Sequence, residues 1–283
     1  MIKRMAAGIF PRLLHNVPKD KKWLYPFYLA GQLHVVEEAY RSAALPAAFD
    51  GLSIAYASDI HHGPYFKEAE VLALHQRLLK MDTDLVLLGG DYGDVPANSI
   101  AFFKRIPPFP TDKTVLAVVG NHDIGDRGAG ILPELLAAMK EKNIKPLVNE
   151  THTITKSGVS MAICGPDDIR CGRPDFEPLK KASSGADFVL FLPHSPDLIP
   201  DAFAAGFPFH LAICGHTHGG QLVIWGRSIH SSSKYKDRYR CGWYQENGAD
   251  ILVSAGVGTS ILPMRLGTVP QIHRLVLSSK LQG

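Results

Sequence analysis

The feature that most constrains this chain is a recurring ending. Short apolar runs break off into polar turns that carry Asp, Asn or His. Residues 52–57 end at Ser58-Asp59-Ile60-His61, and residues 85–88 at Gly89-Gly90-Asp91. Residues 115–119 end at Gly120-Asn121-His122-Asp123, residues 188–192 at Pro193-His194, and residues 211–214 at Gly215-His216-Thr217-His218. Such runs predict strands, and helical periodicity fills the gaps between several of them. Residues 67–80 put Val71, Leu74, Leu78 and Leu79 on one face, residues 100–105 stop at Pro107-Pro108, and residues 132–142 form another helix. Strands alternating with helices predict an α/β domain of sheets covered by helices. Its polar turns fall beyond the carboxyl ends of strands, where open α/β sheets bind ligands.

Further strands are expected at residues 151–155 and 159–164, around the turn Lys156-Ser157-Gly158, and at residues 221–225, 251–254 and 272–277. Residues 1–45 read as an N-terminal arm with a helix over 29–44, and residues 46–283 as one domain.

The polar turns carry the ligand types that hold divalent cations. Asp59 and His61, two apart past a strand end, can turn to one ion. Asp91, after two glycines that permit close approach, can bridge two. Asn121 offers a neutral carbonyl oxygen. One ion then takes Asp59, His61, His218 and the shared Asp91, and the other takes Asp91, Asn121, His194 and His216. Four protein ligands per ion leave room for water. A water between two cations loses a proton near neutral pH and becomes a hydroxide placed to attack phosphorus. His122 stands beside a ligand and is expected to give a proton to the leaving oxygen, with Asp123 orienting its ring. Manganese is the first expectation for the pair of ions, with iron or zinc as alternatives.

Composition narrows the setting. The net charge of +3 is too small to argue for nucleic acid. The four cysteines, Cys164, Cys171, Cys214 and Cys241, show no C-x-x-C spacing and read as unpaired thiols in a reducing compartment. No apolar stretch reaches the roughly 20 residues that span a bilayer. The expected location is the cytoplasm. Residues 1–30 mix Lys3, Arg4, Arg12, Lys19, Lys21 and Lys22 with Phe10, Trp23, Tyr25, Phe27 and Tyr28, a combination suited to contact with the inner face of an anionic membrane.

Together, D-x-H at Asp59–His61, G-D at Gly90-Asp91, G-N-H-D at residues 120–123, His194, and G-H-x-H at residues 215–218 resemble the calcineurin-like metallophosphoesterase superfamily. Ser58-Asp59-Ile60-His61, Gly90-Asp91-Tyr92, His194-Ser195-Pro196-Asp197, Gly219-Gly220-Gln221, residues 256–260 and Pro263-Met264-Arg265 are similar to its bacterial YkuE/YaeI-type branch. The resemblance covers roughly residues 50–277. It implies a four-layer α/β/β/α sandwich with two metals at the strand ends and hydrolysis of phosphomonoesters, phosphodiesters or pyrophosphates. It implies the same seven ligands. His62-Gly63-Pro64 departs from the many relatives that carry Leu before the glycine.

Two segments are expected to read the substrate. Residues 231–244 interleave Lys234, Lys236, Arg238 and Arg240 with Tyr235, Tyr239, Trp243 and Tyr244, cations for phosphate oxygens and aromatic rings for stacking. Residues 167–175, with Arg170 and Arg173, are expected to form a lid over the metals. The leading expectation is a phosphodiester or pyrophosphate in a small or lipid-linked molecule, with UDP-2,3-diacylglucosamine a specific candidate from relatives that split it. A broad phosphodiesterase or phosphatase is the alternative. A nuclease is disfavoured by the charge, and a non-catalytic scaffold by the presence of all seven ligands and His122.

Overall fold

A computed structural model of the chain describes residue 14 and residues 17–125 and 132–279. Fourteen strands are found among them. In chain order they are β1 (His34–Arg41), β2 (Ser53–Ala57), β3 (Leu85–Leu88), β4 (Thr114–Ala117), β5 (Lys145–Pro146), β6 (Glu150–Lys156), β7 (Val159–Gly165), β8 (Phe188–Phe191), β9 (Leu211–Cys214), β10 (Val223–Ile224), β11 (Arg227–Ser228), β12 (Gly242–Glu246), β13 (Ala249–Val253) and β14 (Gln271–Ser278). One six-stranded sheet runs β1-β14-β2-β3-β4-β5, the other β12-β13-β9-β8-β7-β6, and β10-β11 is a separate ribbon.

The strands are buried on both faces because side chains alternate across a pleat. In β2, Ile54 and Tyr56 face one way, and Ala55 and Ala57 the other. Ile54, Tyr56, Leu85, Leu87, Leu116 and Val118 meet Met161, Ile163, Leu190, Leu211, Ile213 and Leu252 between the sheets. Outside the first sheet, Ala55, Val86, Leu88, Val115 and Ala117 pack on helices Glu68–Lys80, Pro96–Arg105 and Leu132–Lys140. Outside the second, Cys164, Val189, Phe191, Ala212 and Val253 pack on helices Phe176–Ser183 and Ile199–Ala204. The result is the expected α/β/β/α sandwich. Parallel pairing of β2, β3 and β4, and of β7, β8, β9 and β13, sends five polar turns out at one edge of the two sheets.

The N-terminal expectation needs correction. Residues 29–44 are not a helix. A short helix, Tyr25–Ala30, is followed by β1, which pairs in parallel with β14 along its whole length. Glu37, Glu38 and Ala39 favour helix locally, but pairing at the sheet edge overrides that preference. Of residues 221–225, Val223–Ile224 are a strand, β10, but it pairs with β11 in the small ribbon and joins neither main sheet. Of the stretch expected to meet a membrane, residues 1–13, 15 and 16 lie outside the described residues. No described helix is long and apolar enough to cross a bilayer. No disulfide joins the four cysteines, all of which are among the described residues.

Candidate metal centre

The first turn leaves β2 through Ser58. Asp59 and His61 both sit in the left-handed backbone region, with φ of 54° and 50°, and Ile60 between them is buried in the core. That alternation puts the two ligand side chains on one side. Asp91 (φ 56°), His216 (φ 69°) and His218 (φ 52°) share the same uncommon conformation. Five of the seven expected ligands are thus held on strained backbone, which persists only where surrounding structure imposes it. Glycine contributes at a different point. A Cβ on Gly120 would lie 2.2 Å from Asp91 Oδ1 and 2.8 Å from His194 Nε2, so only glycine lets this turn close on them.

The side chains converge in three groups, one of which joins His122 to His61 and Asp91, while two trios hold expected ligands alone. Asp59, His61 and His218 form one, Asp91, His194 and His216 the other, and within each the donor atoms lie within 4.8 Å of one another. His61 Nε2 and His218 Nε2 are 3.1 Å apart, and His194 Nε2 and His216 Nδ1 3.2 Å. Asp91 Oδ2 is 3.2 Å from His194 Nε2 and 3.7 Å from His61 Nε2, so one carboxylate reaches both trios. Asp59 Oδ1 lies 3.7 Å from His218 Nε2, and both Asp59 oxygens accept from the His216 backbone N–H at 2.9 Å. Asn121 opens the short helix Asn121–Ile124, and its Oδ1 is buried with no hydrogen-bond partner.

Electrostatics fit this donor set to cations. Burial holds His61 down to about 3 and His218 well below the ordinary imidazole value, so both rings are neutral and can ligate. Burial, aided by the Asp91 charge, raises Asp59 to about 6. Burial also pushes Asp91 upward, but His194, His122 and His61 pull it well below the usual range. Burial lowers His194, and Asp91 more than reverses that. The centre therefore favours positive charge beside Asp91. A buried acceptor with no donor at Asn121 and neutral imidazoles against carboxylates are what hard-to-borderline divalent ions require.

His122 meets the site from one side. Its ring packs edge-on against His61 with centroids 4.7 Å apart, and its Nδ1 donates to the Asp94 carbonyl at 2.8 Å. Burial lowers its pKa, but the Asp91 charge, the Asp94 carbonyl and the Asp123 charge raise it above the ordinary value. The orienting role expected of Asp123 is corrected here. Both Asp123 oxygens are taken up by the backbone N–H groups of Asp91, Tyr92 and Gly120 and by the Ser99 hydroxyl, at 2.6–2.9 Å. Asp123 ties the Gly90 and Gly120 turns together. The ring of His122 is oriented by a main-chain carbonyl that no side-chain motif could announce.

The expected substrate cations are mostly spent elsewhere. Arg238 pairs with Glu246 at 3.0 Å and lies over the Tyr235 and Tyr239 rings. Arg240 donates to the Gly226 carbonyl at 2.6 Å, and Lys234 reaches Asp201 at 3.5 Å. The Lys236 carbonyl accepts from Ser231, and Arg173 engages Asp167 and Asn149 through its backbone. Arg170 has a partner too, but differs in its surroundings. It donates to the Ser232 carbonyl, and its charge helps to depress His216 of the second trio.

Two residues escaped the sequence reading. Asp168, past the end of β7, is 2% exposed; its Oδ1 accepts from the Arg170 and Cys171 N–H groups, its Oδ2 has no hydrogen-bond partner, and its charge raises His194. Arg265 is wholly buried. It donates to the carbonyls of His218 (3.0 Å), Ala255 (2.7 Å), Gly256 (3.2 Å) and Gly258 (2.6 Å). It fastens the C-terminal loop to the G-H-x-H turn, and burial lowers its pKa to about 10. Its place in Pro263-Met264-Arg265 was visible, but not its role.

A family profile described as calcineurin-like phosphoesterase matches residues 52–220. The chain is similar to the uncharacterized metallophosphoesterase YkuE of Bacillus subtilis, at 28% identity over 87% of this chain and 86% of that protein. It is similar to the phosphodiesterase YaeI of Escherichia coli, at 28% identity over 79% of this chain and 81% of that protein. Among solved structures, a 5'-nucleotidase precursor from Thermus thermophilus aligns at 15% identity with a TM-score of 0.45, over 80% of this chain and 54% of the other.

Proposed function

The chain belongs to the calcineurin-like phosphoesterase family, and from that premise we propose that it hydrolyses phosphodiesters at a two-ion centre held by Asp59, His61, Asp91, Asn121, His194, His216 and His218. The observation that carries this reading is the pair of trios joined by Asp91, 3.2 Å from one and 3.7 Å from the other. Two divalent ions bound there supply a water of lowered pKa and positive charge facing the phosphoryl oxygens. Manganese suits the mixed imidazole and carboxylate set, as do iron and zinc.

The protein's own groups do the rest. Asp91 sets the spacing of the trios. His122, with Nδ1–H committed to the Asp94 carbonyl, carries its transferable proton on Nε2. As water oxygen bonds to phosphorus and the bond from phosphorus to the alcohol oxygen breaks, His122 gives that proton to the departing oxygen. Arg170 faces a non-bridging phosphoryl oxygen from the side of His216.

Diester specificity is supported by the phosphodiesterase designation of the E. coli relative. A lipid-linked diester or pyrophosphate such as UDP-2,3-diacylglucosamine is the finer reading, motivated by Trp23 and Tyr25, 79% and 53% exposed, in a basic arm suited to the membrane surface. The test is a panel of metal-stripped protein reloaded with manganese, iron or zinc and offered aryl diesters, aryl monoesters, cyclic nucleotides and nucleotide-sugar lipids. Diester hydrolysis that follows metal content supports the proposal. Hydrolysis unaffected by chelation refutes it.

A further inference from the structure

One cavity of about 170 Å³ lies beyond the ligand set. Leu222, Ile229, Ile261 and Leu262 line it, and His218 and Thr217 form the wall it shares with the metal centre. Two of these apolar side chains are left in solvent, Ile229 at 63% and Ile261 at 67% exposure. Ile261 also has φ of 66°, a conformation that a β-branched residue avoids. Neither burial nor local preference explains an isoleucine there, and such strain collects at ligand-binding positions.

Two of the polar side chains around the cavity are already committed, and His230, Ser232 and Ser260 complete its polar lining. Gln221 donates to the carbonyls of Ser260 and Leu262, and its oxygen accepts from the Ser260 N–H. Thr217 donates to the Arg240 carbonyl. Gln221 and Thr217 therefore offer little to a base or sugar edge. A cavity of about 150 Å³ lined by aliphatic side chains accepts a benzene-sized guest, so this one has room for a ring or the first carbons of a chain. Its position fixes which end of the substrate enters. His122 packs on His61, and His61 Nε2 is 3.1 Å from His218 Nε2. The proton donor and the cavity therefore stand at the same trio.

We propose that this cavity binds a hydrocarbon group carried by the leaving alcohol of the phosphodiester, with Ile261 as its clamp. The inference rests on the reading of the centre as a phosphodiesterase. The bond broken is the one from phosphorus to the alcohol oxygen; the product alcohol departs with its hydrocarbon group and the proton from His122.

The experiment uses the manganese-loaded full chain and methyl 4-alkylphenyl phosphates, in which the alkyl group lengthens without changing the reactivity of the phenol. The expected kcat/KM rises about three- to fourfold per methylene over the first few carbons and then levels off. Ile261→Gly should flatten that rise and raise Tm by a few degrees because glycine relieves the backbone strain. As a readout independent of turnover, calorimetry on the metal-free protein should show 4-butylphenol binding more tightly than phenol, with the difference lost in Ile261→Gly. A flat chain-length series with intact phenyl-ester hydrolysis overturns the cavity assignment and leaves the phosphodiesterase standing. Failure to hydrolyse any diester while 4-butylphenol still binds preferentially overturns the catalytic reading instead.

Discussion

The metal centre and the segment from Ser231 to Glu246 are built from similarly polar residues and end up opposite in character. At the centre, polar side chains are buried and some are left without partners, as with Asn121 Oδ1 and Asp168 Oδ2. In the segment, cations are exposed or half-buried and mostly engaged, Arg238 with Glu246 and two tyrosine rings, Arg240 with Gly226, Lys234 with Asp201. The difference teaches that abundance of charge says little about where substrate binds. Desolvated groups whose hydrogen-bonding capacity is unspent are costly in a folded protein and persist where a ligand completes them.

Replacing Asp91 should test the contrast hardest. Asp91→Ala is expected to lose both ions in metal analysis and to bring turnover to background, because it removes the carboxylate that reaches both trios. His122→Ala should cost about 10²–10⁴ in kcat with metal content unchanged; loss of metal would make His122 a ligand rather than a proton donor. Arg170→Ala should lower kcat/KM about 10- to 100-fold, the worth of a hydrogen bond between charged groups. Arg238→Ala and Lys234→Ala should leave kcat/KM nearly unchanged, and a large loss in either would restore the segment as a substrate reader. Arg265→Met sharpens the contrast from beneath. It strands carbonyls of the G-H-x-H turn and its neighbours and should reduce unfolding stability by on the order of 3 kcal/mol, measured by urea denaturation, with weaker metal retention.

The sequence made the site legible to the extent that side-chain identity determines it. Apolar runs ending in Asp, Asn and His placed seven donors at strand ends, and the sheets bring six of them into two trios, with Asn121 one residue beyond the Gly120 contact. What stayed hidden is carried by the main chain. The left-handed conformations of Asp59, His61, Asp91, His216 and His218 have only a weak signature in residue type, since Asp and His adopt them more often than most residues but seldom. The carbonyl of Asp94 and the four carbonyls gathered by Arg265 have none. Asp123 was misjudged for the same reason, since its partners are mainly backbone N–H groups. Strand β1 was misread because its Glu and Ala residues favour helix until β14 offers an edge to pair with.

The central claim is that one carboxylate unites two ion sites. Anomalous diffraction from manganese-loaded crystals tests it most directly. The account predicts two peaks about 3.5–4 Å apart, one among Asp59, His61 and His218 and one among Asn121, His194 and His216, with Asp91 touching both. A single peak, or two that Asp91 does not join, would contradict it.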